Sequence, residues 1–178
     1  SHTVGVRSTD NTVTVDLAGA ADADSGVAGY SYAFSGNPDG DPGTTVNLDG
    51  AATSLTSAPL GDDANPGWYL HLRTVDGKGN WSDPIHLGPF FIDTAVPETV
   101  ILTGPTGATG NARPTFTFDT TRGGALFDCA MDLEAFAPCT SPYQPATALA
   151  AGAHTFKVRA KDQYGLGLVD TTPDTRSF

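Results

Sequence analysis

Asn37, Asp39 and Asp41 place a side-chain oxygen at every second residue of NPDGDPG, and alternating oxygens are how a loop begins to wrap a calcium ion. The likeness to an EF-hand loop then stops. Pro42 stands at the sixth position, where a glycine makes the turn, and Leu48 at the twelfth, where a bidentate glutamate belongs. Asp22, Asp24, Asp62 and Asp63 add carboxylates on other stretches that read as loops. Calcium is therefore the one cofactor to weigh, against solvated acidic turns that keep the chain soluble.

Nucleophilic and metal chemistry find less. GYSYA, Gly29 to Ala33, falls one residue short of the G-x-S-x-G elbow, and Ser31 lies in an alternating strand where that motif needs a strand-to-helix turn. His2, His71, His86 and His154 are scattered with no metal-ligand spacing, and His71 is expected to face solvent. No catalytic set assembles, so the sequence does not read as an enzyme. Trp81 and Tyr69 are the candidate ligand-binding aromatics. On the surface together they could stack on a sugar ring or anchor a protein contact; packed back on the body, Trp81 is core.

Cys129 and Cys139 are the two cysteines of the chain, ten positions apart and without neighbouring cysteine or histidine that would suggest zinc. Pairing is the natural reading and places the protein in an oxidising, extracytoplasmic compartment; the alternative is two buried free thiols.

The elements that must carry these residues are legible in a repeated phrase. GWYLHLRTVDGKGNWS begins at Gly67 and GAHTFKVRAKDQYGLG at Gly152, with Arg73 against Arg159 and Asp76 against Asp162, 86 positions apart in both pairs. Alternation along a strand puts Leu70, Leu72 and Thr74 inward with Trp68, and His71 and Arg73 outward with Tyr69. In the second copy Phe156, Val158 and Ala160 point inward and Lys157 and Arg159 outward. Each strand runs into a polar, glycine-containing turn, where Asp76 and Asp162 are expected to cap backbone amides.

Upstream, Tyr30, Tyr32 and Phe34 match Phe127, Cys129 and Met131 at an offset of 97, and Val13 and Val15 match Phe116 and Phe118 at 103. The first half thus carries extra residues between its repeated strands, in the polar excursion Gly36 to Thr53. Twenty-one glycines, 13 prolines and one methionine in 178 residues fit turn-rich β-structure and exclude a helical bundle. The expected fold class is all-β: two tandem antiparallel β-sandwiches of about seven strands, residues 1–94 and 95–178, joined like beads by a short connection stiffened at Pro97. GPTGATG, Gly104 to Gly110, mimics collagen triplets but is too short for a triple helix and reads as a loop.

A net charge of -11 repels phosphate backbones, so nucleic acid is a poor partner. No apolar run approaches the roughly 20 residues of a membrane-spanning helix.

DADSGVAGYSYAFS, GWYLHLRTVDGKGNWSDP and FFIDTAVPETVI resemble a fibronectin type III-like repeat of bacterial secreted and cell-surface proteins. FDCAMDLEAFAPCTSPY with GAHTFKVRAKDQYG resembles the bacterial Ig-like repeats that occur in tandem in large exported proteins. The resemblance implies that Cys129 and Cys139 form a local clasp across a hairpin or strand connection, unlike the inter-sheet bond of antibody domains. It also implies a tandem array; in one departure from that pattern Phe178 aligns with Phe90, so the last strand is expected to be cut short, as in a monomeric segment of a longer chain. The function expected on this basis is a non-catalytic structural and interaction segment at a bacterial surface or in a secreted protein, spacing or presenting other domains and meeting a protein or glycan in adhesion. A carbohydrate-binding accessory module of an exported enzyme is the alternative.

Overall fold

The computed structural model describes residues 2–62 and 66–178, so Asp63 of the candidate calcium set lies outside the described residues. These residues form strands and no helix. The chain divides into two compact units, Ser1–Thr94 and Ala95–Phe178.

The first unit contains β1 (Arg7–Ser8), β2 (Thr14–Asp16), β3 (Val27–Ser35), β4 (Leu48–Asp49), β5 (Ser54–Thr56), β6 (Trp68–Asp76) and β7 (Ile85–Ile92). Five of them form one sheet in the order β1-β7-β6-β3-β4, and β2 pairs with β5 in a second. Val13, Tyr30, Leu55, Leu70, Leu72, Phe90 and Ile92 are buried together, with Trp68, Phe34 and Val15 packed around them. Leu70 and Leu72 supply the inner face of β6, as alternation requires.

The second unit contains β8 (Thr99–Thr103), β9 (Thr117–Thr120), β10 (Leu126–Met131), β11 (Ala137–Cys139), β12 (Thr155–Lys161) and β13 (Asp174–Ser177). One sheet runs β11-β10-β12-β13, and β8 pairs antiparallel with β9. Tyr143 meets Phe116 in a single bridge where a further strand would lie. Pro142 and Pro145 flank it, and without N–H donors they cannot prolong a ladder. The core gathers Ile101, Phe116, Phe118, Cys129, Met131, Phe156 and Val158. Phe156 stacks on Phe116 at 4.2 Å between ring centroids and on Tyr143 at 5.1 Å.

The internal repeat holds at the level of register. Tyr32 lies opposite Leu72 in the first unit, and Cys129 opposite Val158 in the second, the pairs related by the offsets 97 and 86. Cys129 and Cys139 form a disulfide between the adjacent strands β10 and β11 of one sheet.

One expectation about faces is overturned. His71 does not face solvent; it is 1% exposed. The excursion after β3 folds back over the outer face of β6 and β3 and covers it. Ser31 Oγ donates to the Pro42 carbonyl at 2.9 Å, while Asn47 exchanges two hydrogen bonds with the backbone of Tyr32. Gly40 lies against the His71 ring so closely that a Cβ there would stand 2.6 Å from Nε2. A polar loop can bury a histidine in this way because loop and face satisfy each other's hydrogen bonds.

Candidate functional site

The covered face of the first unit holds the densest polar chemistry among the described residues. His71 in β6 lies opposite His86 in β7, and their Nδ1 atoms are 2.8 Å apart. On its other side His71 Nε2 is 2.8 Å from Ser35 Oγ at the end of β3. Ser35, His71 and His86 thus form a hydroxyl–imidazole–imidazole chain, the order of a nucleophile, a base and the group that orients the base.

Acyl transfer also needs an exposed nucleophile and hydrogen-bond donors aimed at a developing oxyanion. Here Ser35 Oγ accepts the Asn37 amide at 3.2 Å, which closes the local turn. Gly40 shuts the space over Nε2. The chain of groups ties the start of the excursion to β6 and β7. The signal that points to it is the hairpin. Counting outward from the turn centred on Lys78 pairs His71 with Ile85; a slip of one residue between Trp81 and Ile85 brings His86 opposite instead.

Burial holds His71 below the usual histidine range, and the His86 imidazole pushes the same way against the weaker attraction of Asp39 and Asp41. In the second unit His154 behaves oppositely. The Ala150 carbonyl at 2.9 Å from Nε2 and the Asp132 carboxylate at 2.8 Å from Nδ1 raise it. The His154 hydrogen bond in turn holds Asp132 below the usual carboxylate range.

The signs follow by linkage. A depressed histidine contributes stability that is complete above its unfolded value of 6.5 and lost as pH falls through the lower folded value. A raised histidine contributes stability that is complete below 6.5 and lost as pH rises through its folded value. Calorimetry of the whole chain from pH 5 to pH 8 is therefore expected to show the first unit's transition rising and the second's falling. His71→Gln should flatten the first trend and His154→Gln the second; parallel trends in both units would contradict the assignment.

Most of the calcium candidates bind neighbouring groups of the protein while remaining exposed. Asn37 Oδ1 accepts the Asp39 amide at 3.1 Å, and Asp41 accepts the Gly43 amide at 2.8 Å while its other oxygen meets Arg73 at 3.4 Å. Asp22 caps the amides of Asp24 and Ser25, Asp24 pairs with Lys78, and Asp62 binds the amide and hydroxyl of Thr94. Among the described residues no three of His, Cys, Asp and Glu converge as a metal site.

Asp76 accepts the amides of Lys78 and Asn80 and the Asn80 side chain, and Asp162 accepts those of Tyr164, Leu166 and Leu168. Both cap the turn after a repeated strand. Ser31 is buried, and its hydroxyl donates to the Pro42 carbonyl of the loop.

Trp81 bridges Val75 at one end of β6 and is half-buried beside a shallow cleft of about 390 Å³ with Asp22 and Asn80. Tyr69 lies six residues earlier in β6, roughly 20 Å away at the rise of a strand. The two aromatics do not share a platform. Compared with known proteins, the chain matches no family model and no curated relative.

Proposed function

We propose that the chain is a non-catalytic structural and interaction segment of a bacterial exported or cell-surface protein. It consists of two tandem sandwiches, fibronectin type III-like and then Ig-like, that space or present other domains. The observation that carries this reading is the use of polar chemistry: each buried or clustered group described above is consumed in holding a loop, a turn or a strand of its own unit. The resemblance of the repeated phrases to tandem surface modules supports it, as does a disulfide suited to an oxidising compartment. The sugar-binding alternative would use Trp81, Tyr69 or the excursion 36–53 separately, since roughly 20 Å of strand lies between the two aromatics.

The Ser35–His71–His86 chain supplies the test. Hydrolysis of p-nitrophenyl acetate by the intact protein is expected to be unchanged by Ser35→Ala, any residual rate being nucleophilic attack by exposed imidazole, which releases p-nitrophenolate and leaves an acetylimidazole that water hydrolyses. Turnover that disappears with Ser35→Ala and shows a burst of p-nitrophenol would mark an acyl-enzyme and overturn the non-catalytic reading.

A further inference from the structure

The two units differ in what covers the edge of the smaller sheet. In the second unit β8 lies along β9, with Ile101 buried opposite Phe118. The edge strand β13 holds it there through inward-facing side chains: the Ile101 amide donates to Asp174 at 2.7 Å, and Arg176 donates to the Ile101 carbonyl at 3.1 Å. Asp174 and Arg176 lie opposite Val158 and Phe156 of β12.

In the first unit the corresponding positions opposite Leu72 and Leu70 are Ile85 and Leu87. They belong to the inner face, yet Ile85 is 64% exposed and Leu87 39%. The reason is that β2, the counterpart of β9, has β5 as its sole ladder partner among the described strands. Val13 and Leu17 direct their backbone bonds to the β5 side, so strand alternation turns the amide and carbonyl of Asp16 away from it. Between Val15 and Leu17 on one wall and Ile85 and Leu87 on the other runs a cleft of about 510 Å³, floored by Leu70 and Leu72. Asp16 and Asp83 are exposed at its rim, in a chain of net charge -11.

We infer that this slot accepts an extended strand from another polypeptide. The guest adds antiparallel to β2 as β8 adds to β9. Its alternate side chains are apolar, because Ile85 and Leu87 offer hydrocarbon where Asp174 and Arg176 offer hydrogen bonds, and the intervening ones are basic, to meet Asp16 and Asp83. Strand addition gains affinity from main-chain bonds and selectivity from pockets for alternate side chains. The inference rests on the reading of the chain as an interaction segment. The two fail separately, since that reading is tested by acyl-enzyme formation and this one by peptide binding.

The probe is the peptide acetyl-Lys-Val-Lys-Ile-Lys-Val-Lys-amide, titrated into the whole chain and followed by calorimetry and by backbone amide NMR. Saturable binding is expected, with the largest shifts at residues 15–18 and 85–87. Peptides with the same residues in block order, or with Glu for Lys, should bind at least about tenfold more weakly. Ile85→Lys with Leu87→Lys, at positions already open to water, should weaken binding by a similar factor, whereas Leu133→Lys, 99% exposed in the second unit, should not. No saturable binding at millimolar peptide, or binding indifferent to the Ile85 and Leu87 changes, would overturn the proposal. So would dimerisation abolished by Ile85→Lys in a protein that ignores the peptide, which would make a second copy the occupant.

Discussion

Phe156→Ala is expected to remove about 3–5 kcal/mol from the second unit, the cost of deleting a fully buried phenyl ring and leaving a cavity. Phe156 is wholly inaccessible and lies against Phe116, Tyr143 and Phe118 at ring separations of 4.2, 5.1 and 5.9 Å, so no neighbour can collapse into the space without losing its own stacking. Domains of this size are held by only about 4–13 kcal/mol in total. The change therefore consumes a large share of the unit's stability and should lower its melting temperature by well over 10 °C. Leu70, Leu72 and Phe90 belong to the other cluster and should keep the first unit's transition in place. Differential scanning calorimetry distinguishes the outcomes: one transition moves, whereas equal displacement of both would mean that the cores are not separate.

The second large effect concerns the clasp. Cys129 and Cys139 close a loop with a sequence separation of 10, for which the chain-entropy relation gives about 2.7 kcal/mol of stabilisation through the unfolded state. Replacing both by alanine also empties a small buried volume, because Cys129 packs among Met131, Phe156 and Val158. The second unit should thus melt roughly 10 °C lower or more, with its β-sheet circular dichroism intact at low temperature. The untreated native protein should weigh two hydrogens less than the reduced chain. Two alkylatable thiols in the native protein, or an unchanged transition in the double variant, would contradict this account.

Much of this architecture can be read from side-chain alternation. The inward set Phe156, Val158 and Ala160 of β12 is fully buried, and the turn-capping role expected of Asp76 and Asp162 is visible in their amide partners. These features depend on local period and turn chemistry, which the sequence writes out directly. The destination of the polar excursion is different in kind. Whether residues 36–53 stand in water or lie on β6 depends on Ser31, Ser35, Asn47 and His71 meeting groups many positions away. Composition alone favours water, so His71 reads as solvent-facing.

The pairing of His71 with His86 is harder still to anticipate. A slip of one residue near Pro84 decides whether His86 or Ile85 stands opposite, and one residue exchanges the faces of a strand. The exposed inner face at Ile85 and Leu87 likewise follows from β2 having no second ladder partner among the described strands, which no pattern within β7 encodes. Its counterpart is the pair Asp174 and Arg176 of β13. Its role emerges only where both side chains bind the backbone of β8.

Mechanical unfolding of the whole chain, pulled from its two ends, tests most directly that each half is a self-contained β unit. At about 3.6 Å per residue, the 1–94 unit should release roughly 34 nm of contour and the 95–178 unit roughly 27 nm, before folded lengths are subtracted, since the disulfide withholds part of the latter. Reductant should lengthen only the shorter step, by about 3.6 nm. Two separate steps with this response are predicted; a single cooperative step releasing the whole chain at once would contradict the account.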